Sequence, residues 1–134
     1  MQAAGKELPA GTITLKANKQ TYNAGEEVLI TVSGKGMNSI NALQLILPYA
    51  EADMQFVSIE PKAVADMKNM TNDRLHRDGS KILYPTFVNV GQKNLISGEG
   101  ELFVIRMKAN RRFTLKSLPA KGMLVSPSLG ILEF

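Results

Sequence analysis

Short apolar segments recur along this 134-residue chain and are separated by glycine, proline and asparagine. Residues 12–17 alternate apolar and polar side chains, and residues 28–33 do the same. Alternation with a period of two is typical of a strand with one buried face. The segments begin at intervals of roughly 8–15 residues, and no convincing long helical pattern interrupts them. This spacing predicts about nine strands and an all-β sandwich or barrel.

The third predicted strand, residues 40–49, is apolar on both faces. Its side chains fall into two alternating sets: Leu43, Leu45 and Leu47 on one face, and Ala42, Gln44 and Ile46 on the other. Apolar side chains on both faces indicate either a central strand that is covered on each side, or a strand with one face reserved for a partner. The pattern does not choose between the two.

Turn residues predict where other strands end. Gly34-Lys35-Gly36 is expected to stop the second strand, and Asp78-Gly79 is expected to form a hairpin turn. A loop is expected from Gly91 to Gly98-Glu99-Gly100. Residues 62–75 are expected to form an irregular connection with at most one or two helical turns, and an extended strand is the alternative.

Length and composition limit the organisation of the chain. A chain of 134 residues is the size of one domain, with residues 1–11 as a linker or tail and residues 12–134 as the folded unit. Cysteine is absent, so the sequence offers no disulfide framework and no thiol nucleophile. No apolar run approaches the roughly 20 residues that a membrane-spanning helix needs, so membrane insertion is not expected.

The sequence predicts neither nucleic-acid binding nor catalysis. The net charge is only +4, and the cluster of basic residues from 106 to 116 has only Phe113 as a nearby stacking aromatic. The single histidine, His76, has only Asp73 and Asp78 beside it and is expected at the surface. No carboxylate pair stands out as a catalytic pair. The chain is therefore expected not to be an enzyme and to need no cofactor.

The sequence contains candidate residues for a calcium site and for a sugar-binding platform, but neither pattern is complete. Oxygen ligands for calcium cluster at Asp66, Asn69, Asn72 and Asp73, but Lys68 and Arg74 lie among them and the spacing is not that of an EF-hand, so no metal is expected. Sugar platforms use exposed planar aromatics, yet the chain has no tryptophan and only Tyr22, Tyr49 and Tyr84 as tyrosines. Tyr49 follows a core strand and is expected to be buried.

The order of strands and turns resembles that of cohesin modules. The resemblance lies in Gly25-x-x-Val28-x-Ile30-x-Val32, in residues 40–49, in residues 54–60, in residues 87–91 and in residues 95–108. It extends from residue 12 to about residue 130 and lies in strands and turns rather than in catalytic residues. Other modules of the same jelly-roll superfamily, including carbohydrate-binding modules, share part of the pattern.

The resemblance implies a nine-stranded jelly-roll β-sandwich that serves as a non-catalytic protein-interaction or structural module. Cohesins bind dockerins through one sheet face, which by this resemblance involves residues 40–47, 75–78, 82–89 and 102–108. The implied contact positions are Asn41, Leu43, His76, Thr86 and Asn89. The implied setting is a secreted, periplasmic or cell-surface multimodular bacterial protein, such as a glycoside hydrolase that degrades polysaccharide.

The chain departs from the family at the expected contact strands. Leu43 occupies a position where many cohesins have an acidic residue, and residues 87–91 also lack one. The expected partner is therefore a dockerin-like module or a neighbouring domain of the same protein. The alternative function is that of a carbohydrate-binding module that recognises a glycan, with polysaccharide as its partner.

Overall fold

A computed structural model describes residues 10–90, 96–116, 118 and 120–134. Its strands in chain order are β1 (Ala10–Ala17), β2 (Thr21–Tyr22), β3 (Glu27–Ile40), β4 (Ala42–Leu45), β5 (Leu47–Tyr49), β6 (Met54–Pro61), β7 (Lys68–Asn69), β8 (Asn72–Leu75), β9 (Lys81–Tyr84), β10 (Thr86–Val88), β11 (Ile96–Ala109), β12 (Phe113–Thr114), β13 (Gly122–Val125) and β14 (Ile131–Glu133). The described residues include no helix that is long and apolar enough to cross a membrane. Of the predicted tail, residues 1–9 lie outside the described residues, and Ala10 already belongs to β1.

The first sheet has the antiparallel order β1-β3-β11-β6. Its centre is the pair β3 and β11, each 14 residues long. Apolar side chains on alternate positions of both strands, such as Ile30 and Ile105, are fully buried. The alternation read from the sequence therefore places one side of this sheet in the core.

The ends of β3 and β11 differ from the prediction. Gly34-Lys35-Gly36 does not stop β3, which continues to Ile40, and β11 begins at Ile96 rather than after Gly100. The pairing shifts register on both sides of Gly98, which has φ 85°. Glycine adopts this conformation without a Cβ clash, so it forms bulges that bend the strand pair instead of ending it. Residues 91–95 of the predicted loop lie outside the described residues.

The second sheet is a five-strand layer in which short strands continue one another. Its strands pair in the orders β14-β13-β4-β10-β7 and β5-β9-β8. β4 pairs with β10, and β5 pairs with β9, in a single unbroken register. The pairings of β7 with β10 and of β8 with β9 likewise share one register. With these three pairs of short strands joined and the two-residue β2 and β12 set aside, nine strands remain in the described residues, as the spacing predicts.

The chain passes from the first sheet to the second at one residue. β3 ends at Ile40 and β4 begins at Ala42, so only Asn41 lies between them. The third predicted strand was therefore wrong at its start, because Ile40 belongs to the first sheet. The Asn41 backbone joins the second sheet through its N–H, which donates to the Val125 carbonyl at 2.8 Å.

The two sheets pack face to face around one apolar core. The rings of Phe87 from the second sheet and Phe103 from the first lie 4.9 Å apart between centroids, and both are essentially unexposed. Leu43, Leu45 and Leu47 point into the same core. The all-β sandwich prediction is confirmed.

The segment before β9 contains both of the structures that the sequence left open. Residues 62–67 form turns anchored by the buried Val64 and Met67, and β7 and β8 follow as strands. The predicted hairpin turn is confirmed, since Gly79 has φ 89° and the His76 N–H donates to the Ser80 carbonyl at 2.8 Å. Hydrogen bonds from Ser80 lower the pKa of the Asp78 carboxyl that closes this turn.

Truncation of Phe103 tests the inter-sheet contact. We expect Phe103→Ala to lower the free energy of unfolding by about 3–5 kcal/mol, because it removes a buried aromatic side chain and leaves a cavity opposite Phe87. Val57→Ala is the control, because Val57 is 56% exposed and should change stability by less than about 0.5 kcal/mol. Chemical denaturation would measure both, and equal losses for the two variants would contradict this description of the core.

Candidate protein-binding face

The outer side of the second sheet carries side chains that the core does not use. Because successive residues of a strand point to opposite sides, the neighbours of the buried Leu43, Leu45, Leu83 and Phe87 point outward. We call this surface the front face. Its half-buried members are Ala42, Gln44, Ile46, Ile82, Tyr84, Thr86, Val88, Met123 and Val125, and its exposed members are Lys68, Met70, Asn72, Arg74 and Ile131.

One row across the front face is aliphatic. Register places Ile131 beside Val125, Val125 beside Ala42, and Ala42 beside Val88. Ile131 is 52% exposed, and the other three are half-buried. These four adjacent aliphatic side chains form an apolar strip that is partly exposed to water. A contiguous exposed apolar patch is typical of a surface that contacts another protein.

The other rows of the front face are more polar and are organised by hydrogen bonds. The Gln44 amide nitrogen donates to the Thr86 hydroxyl at 3.1 Å, and that hydroxyl donates to the Tyr84 carbonyl at 3.0 Å. The Tyr84 hydroxyl and His76 Nε2 lie 3.0 Å apart. These contacts hold three neighbouring side chains in defined positions before any partner arrives.

The outer side of the first sheet is different, because its central arginine is bound to carboxylates of the same sheet. Arg106 pairs with Glu27 and lies 3.4 Å from Glu60. The hydrogen bond that Arg106 donates to Glu27, more than the one it donates to Glu60, raises the pKa of the Arg106 guanidinium. At one end of the sandwich, Arg111 pairs with Asp53 at 2.7 Å. Two members of the basic cluster at residues 106–116 are therefore bound to carboxylates of the chain itself.

The predicted contact residues lie in three different environments. Thr86 is on the front face, and His76 adjoins it through Tyr84. Leu43 is 1% exposed and belongs to the core, so the prediction that Leu43 contacts a partner was wrong. The physical reason is strand parity, since Leu43 lies opposite Phe87 and both point inward.

Asn41 and Asn89 lie at the corner where β3 passes into β4. The Asn89 N–H donates to the Asn41 carbonyl at 2.8 Å, and Asn89 is only 6% exposed. The side-chain atoms Asn41 Oδ1 and Asn89 Nδ2 are both buried, with no hydrogen-bond partner among the described residues. These two residues therefore support the corner, and the burial of Asn89 removes it from the outward surface.

One of the expected contact strands is on the wrong side of the sandwich. Residues 102–108 were expected on the binding face, but they belong to β11 in the first sheet. The sequence could not show this, because a central apolar strand has the same residue pattern in either sheet. Conversely, Val88 and Arg74 lie on the front face but were not among the expected contact positions. Counting register outward from the Asp78-Gly79 hairpin would have placed Arg74 opposite Ile82.

The described residues do not bring together the candidate calcium ligands or all three tyrosines at one exposed surface. No three His, Cys, Asp or Glu side chains converge among them. Of the four candidate calcium ligands, Asn69 accepts a hydrogen bond from the Thr71 N–H, and Asp73 is engaged as described below. Tyr22 is fully buried, so it cannot form part of an exposed aromatic platform.

A polar cluster at one end of the second sheet ties β5, β8 and β9 together. The Tyr49 hydroxyl donates to Asp73 Oδ1 at 2.7 Å, and Lys81 Nζ lies 3.5 Å from Asp73 Oδ2 and 3.9 Å from Glu51 Oε2. Burial, and secondly the hydrogen bond to Asp73, raise the pKa of the Tyr49 hydroxyl. Tyr49 is half-buried rather than buried, because its hydroxyl reaches this cluster.

Comparison with known proteins places this arrangement in a family. The family model for the cohesin domain matches residues 12–123. The chain belongs to the cohesin domain family. It is accordingly a non-catalytic protein-interaction module. No curated protein sequence matches it.

Solved cohesin structures share the fold at low sequence identity. A type II cohesin from the cellulosome of Acetivibrio cellulolyticus is similar with a TM-score of 0.69 and 14% identity over 92% of this chain and 88% of that one. The cohesin module of a family 33 glycoside hydrolase from Clostridium perfringens has a TM-score of 0.66 and 12% identity, with coverage of 94% and 90%. A structure of a type I cohesin–dockerin complex from Clostridium thermocellum gives 0.63 and 12%, with coverage of 90% and 91%.

Removal of the Tyr49 hydroxyl tests the cluster. We expect Tyr49→Phe to lower the free energy of unfolding at pH 7 by about 1–2 kcal/mol, because it removes a hydrogen bond to a carboxylate. The unfolded chain releases the tyrosine proton near pH 10, whereas the folded chain retains it to higher pH. The free energy of unfolding of wild type should therefore decrease as pH rises above about 10. The difference in this free energy between wild type and Tyr49→Phe should become smaller.

Denaturant titrations at several pH values would measure this difference. Tyr84→Phe at pH 7 is the control, because it removes a hydroxyl that does not contact Asp73. A constant difference between wild type and Tyr49→Phe from pH 7 to about pH 11 would contradict the assignment.

Proposed function

We propose that this cohesin module binds a dockerin-type module through its front face. The supporting observation is the aliphatic row Ile131–Val125–Ala42–Val88, which leaves adjacent apolar side chains partly exposed on one side of the sandwich. Thr86, next to this row, and His76, farther along the sheet beside Tyr84, are retained as contact residues, whereas Leu43 and Asn89 are not. The front face replaces the set of strands that the sequence suggested.

The difference between the two outer surfaces favours the front face as the binding surface. On the first sheet, the arginine of β11 is bound to Glu27 and Glu60, so a partner would have to replace existing ion pairs. On the front face, a partner would cover half-buried aliphatic side chains and meet polar groups that are already held in place. Burial of apolar area without rearrangement is the less costly route to association.

We further infer that the module works outside the cytoplasm as part of a larger protein that acts on carbohydrate. Support comes from the similar cohesin modules of a cellulosome and of a family 33 glycoside hydrolase. The partner then resides either on a separate protein or in a neighbouring domain of the same chain. A glycan-binding function is not favoured, because Tyr22 is buried and the Tyr49 hydroxyl is bound to Asp73, which leaves Tyr84 as the single tyrosine on the front face.

A charge placed in the aliphatic row tests the proposal. Dockerin modules encoded by the source genome, neighbouring domains and a polysaccharide panel would be titrated calorimetrically against the isolated module. We expect saturable binding to a dockerin and at least about a tenfold loss of affinity in Val88→Asp, because the aspartate would be desolvated at the centre of the contact.

Two further variants separate a lost contact from a lost fold. Ala42→Arg adds bulk to the same row and should weaken binding similarly, while Thr14→Asp places the same new charge on the exposed outer side of β1 and should leave binding unchanged. Thermal unfolding by circular dichroism would confirm that each variant is folded. Full affinity in folded Val88→Asp and Ala42→Arg, or binding to glycans alone, would refute the proposal.

A further inference from the structure

A shallow concavity lies on the front face beside the aliphatic row. Its volume is about 350 Å³, and its lining side chains are Gln44, Met70, Asn72, Arg74, Tyr84 and Thr86. They come from β4, β8, β9, β10 and the junction of β7 with β8, whose continuous register brings them together. The wall therefore combines one cation, two amides, two hydroxyls and a methionine.

Arg74 is the one cation among the side chains that line this concavity. Five described cations form ion pairs with carboxylates of the chain, namely Lys19, Lys62, Lys81, Arg106 and Arg111, whereas Arg74, like several other described cations, does not. Arg74 is exposed, and it forms no ion pair with any described carboxylate. Its guanidinium is the group of the concavity best suited to bind an anion, because it offers a planar fork of N–H donors.

Neither the carboxylate next to Arg74 in the chain nor the one that faces outward on β14 pairs with it. Asp73, the adjacent residue, points to the other side of the strand and is bound by Tyr49 and Lys81. Glu133 is directed outward opposite Met123, but it lies on β14 at the far edge of the sheet. Four strand spacings separate the two edges, which is about 19 Å and beyond the screening length at physiological salt.

The remaining wall is held in place around the guanidinium. Gln44 and Thr86 are hydrogen-bonded to each other, and Tyr84 is held against His76. Lys68, one row beyond Met70 on the same edge, adds a second positive charge to this side of the front face. The concavity is thus a preorganised, positively charged corner that adjoins an apolar strip.

From this we propose that the partner of the front face presents an aspartate or glutamate side chain to Arg74, within about 20 Å of the apolar residues that cover Val88. This proposal rests on the proposed function, because it names the chemistry of the partner at the same surface. A protein carboxylate fits better than a free anion, since the adjacent aliphatic row requires apolar groups carried on the same partner. A bidentate guanidinium–carboxylate pair then sets the register of the complex.

The test uses the dockerin that binds wild type most tightly in the titrations described above. We expect Arg74→Glu to weaken its binding at least about tenfold and Arg74→Gln to weaken it by a smaller factor, because the first adds repulsion and the second only removes attraction. Lys16→Glu is the matched control, since it makes the same change of net charge on β1 of the opposite sheet and should have little effect.

A double-mutant cycle identifies the carboxylate. Each aspartate and glutamate of that dockerin would be replaced by its amide and titrated against wild type and Arg74→Gln. One replacement should weaken binding to wild type and have no further effect on Arg74→Gln. Raising the ionic strength from about 0.05 to about 0.5 M should weaken wild-type binding more than that of Arg74→Gln.

The outcomes separate the two proposals. If a dockerin binds, Val88→Asp disrupts binding and Arg74→Glu does not, the front face is the binding surface but the carboxylate proposal is refuted. If every acidic replacement affects wild type and Arg74→Gln equally, the carboxylate proposal is also refuted. If no dockerin and no neighbouring domain binds, the proposed function fails and this inference fails with it.

Discussion

The burial of alternate residues in the second sheet determines which side chains its outer surface presents. Leu43, Leu45 and Leu47 enter the core, so Ala42, Gln44 and Ile46 are directed outward. A slip of one residue would exchange the two sets and expose three leucines, at a cost of about 1.5–3 kcal/mol for each. The same parity carries across the paired strands to Thr86 and Val88. The front face is therefore specified by the core behind it.

Two kinds of surface result from this arrangement, and they differ in what they offer a second molecule. The outer side of the first sheet satisfies its arginine internally through Glu27 and Glu60. The front face has an aliphatic row at one end and a cationic concavity at the other. Apolar area supplies affinity, and an unpaired charge at its border supplies orientation. This combination suits a protein partner better than a flat glycan.

The sequence was sufficient for the architecture but not for the location of the binding surface. Period-two alternation and the Asp78-Gly79 turn predict the strands and one hairpin correctly, since both depend on local chemistry. The assignment of residues 102–108 to the binding face and of Leu43 to a contact was wrong, because sheet membership and strand parity depend on long-range pairing. Arg74 was not among the expected contact positions for the same reason, because its place on the outer side of β8 follows from the pairing of β8 with β9.

The pairing of β3 with β11 also has a consequence for how the chain reaches its fold. These central strands of the first sheet are separated by more than fifty residues that make up most of the second sheet. Closing so long a loop is entropically costly, and domains dominated by such pairings fold slowly. During synthesis, β3 and β6 are made before β11, the strand with which both of them pair. The charged residues Glu27 on β3 and Glu60 on β6 then have a second role, because they discourage pairing with other chains during that interval.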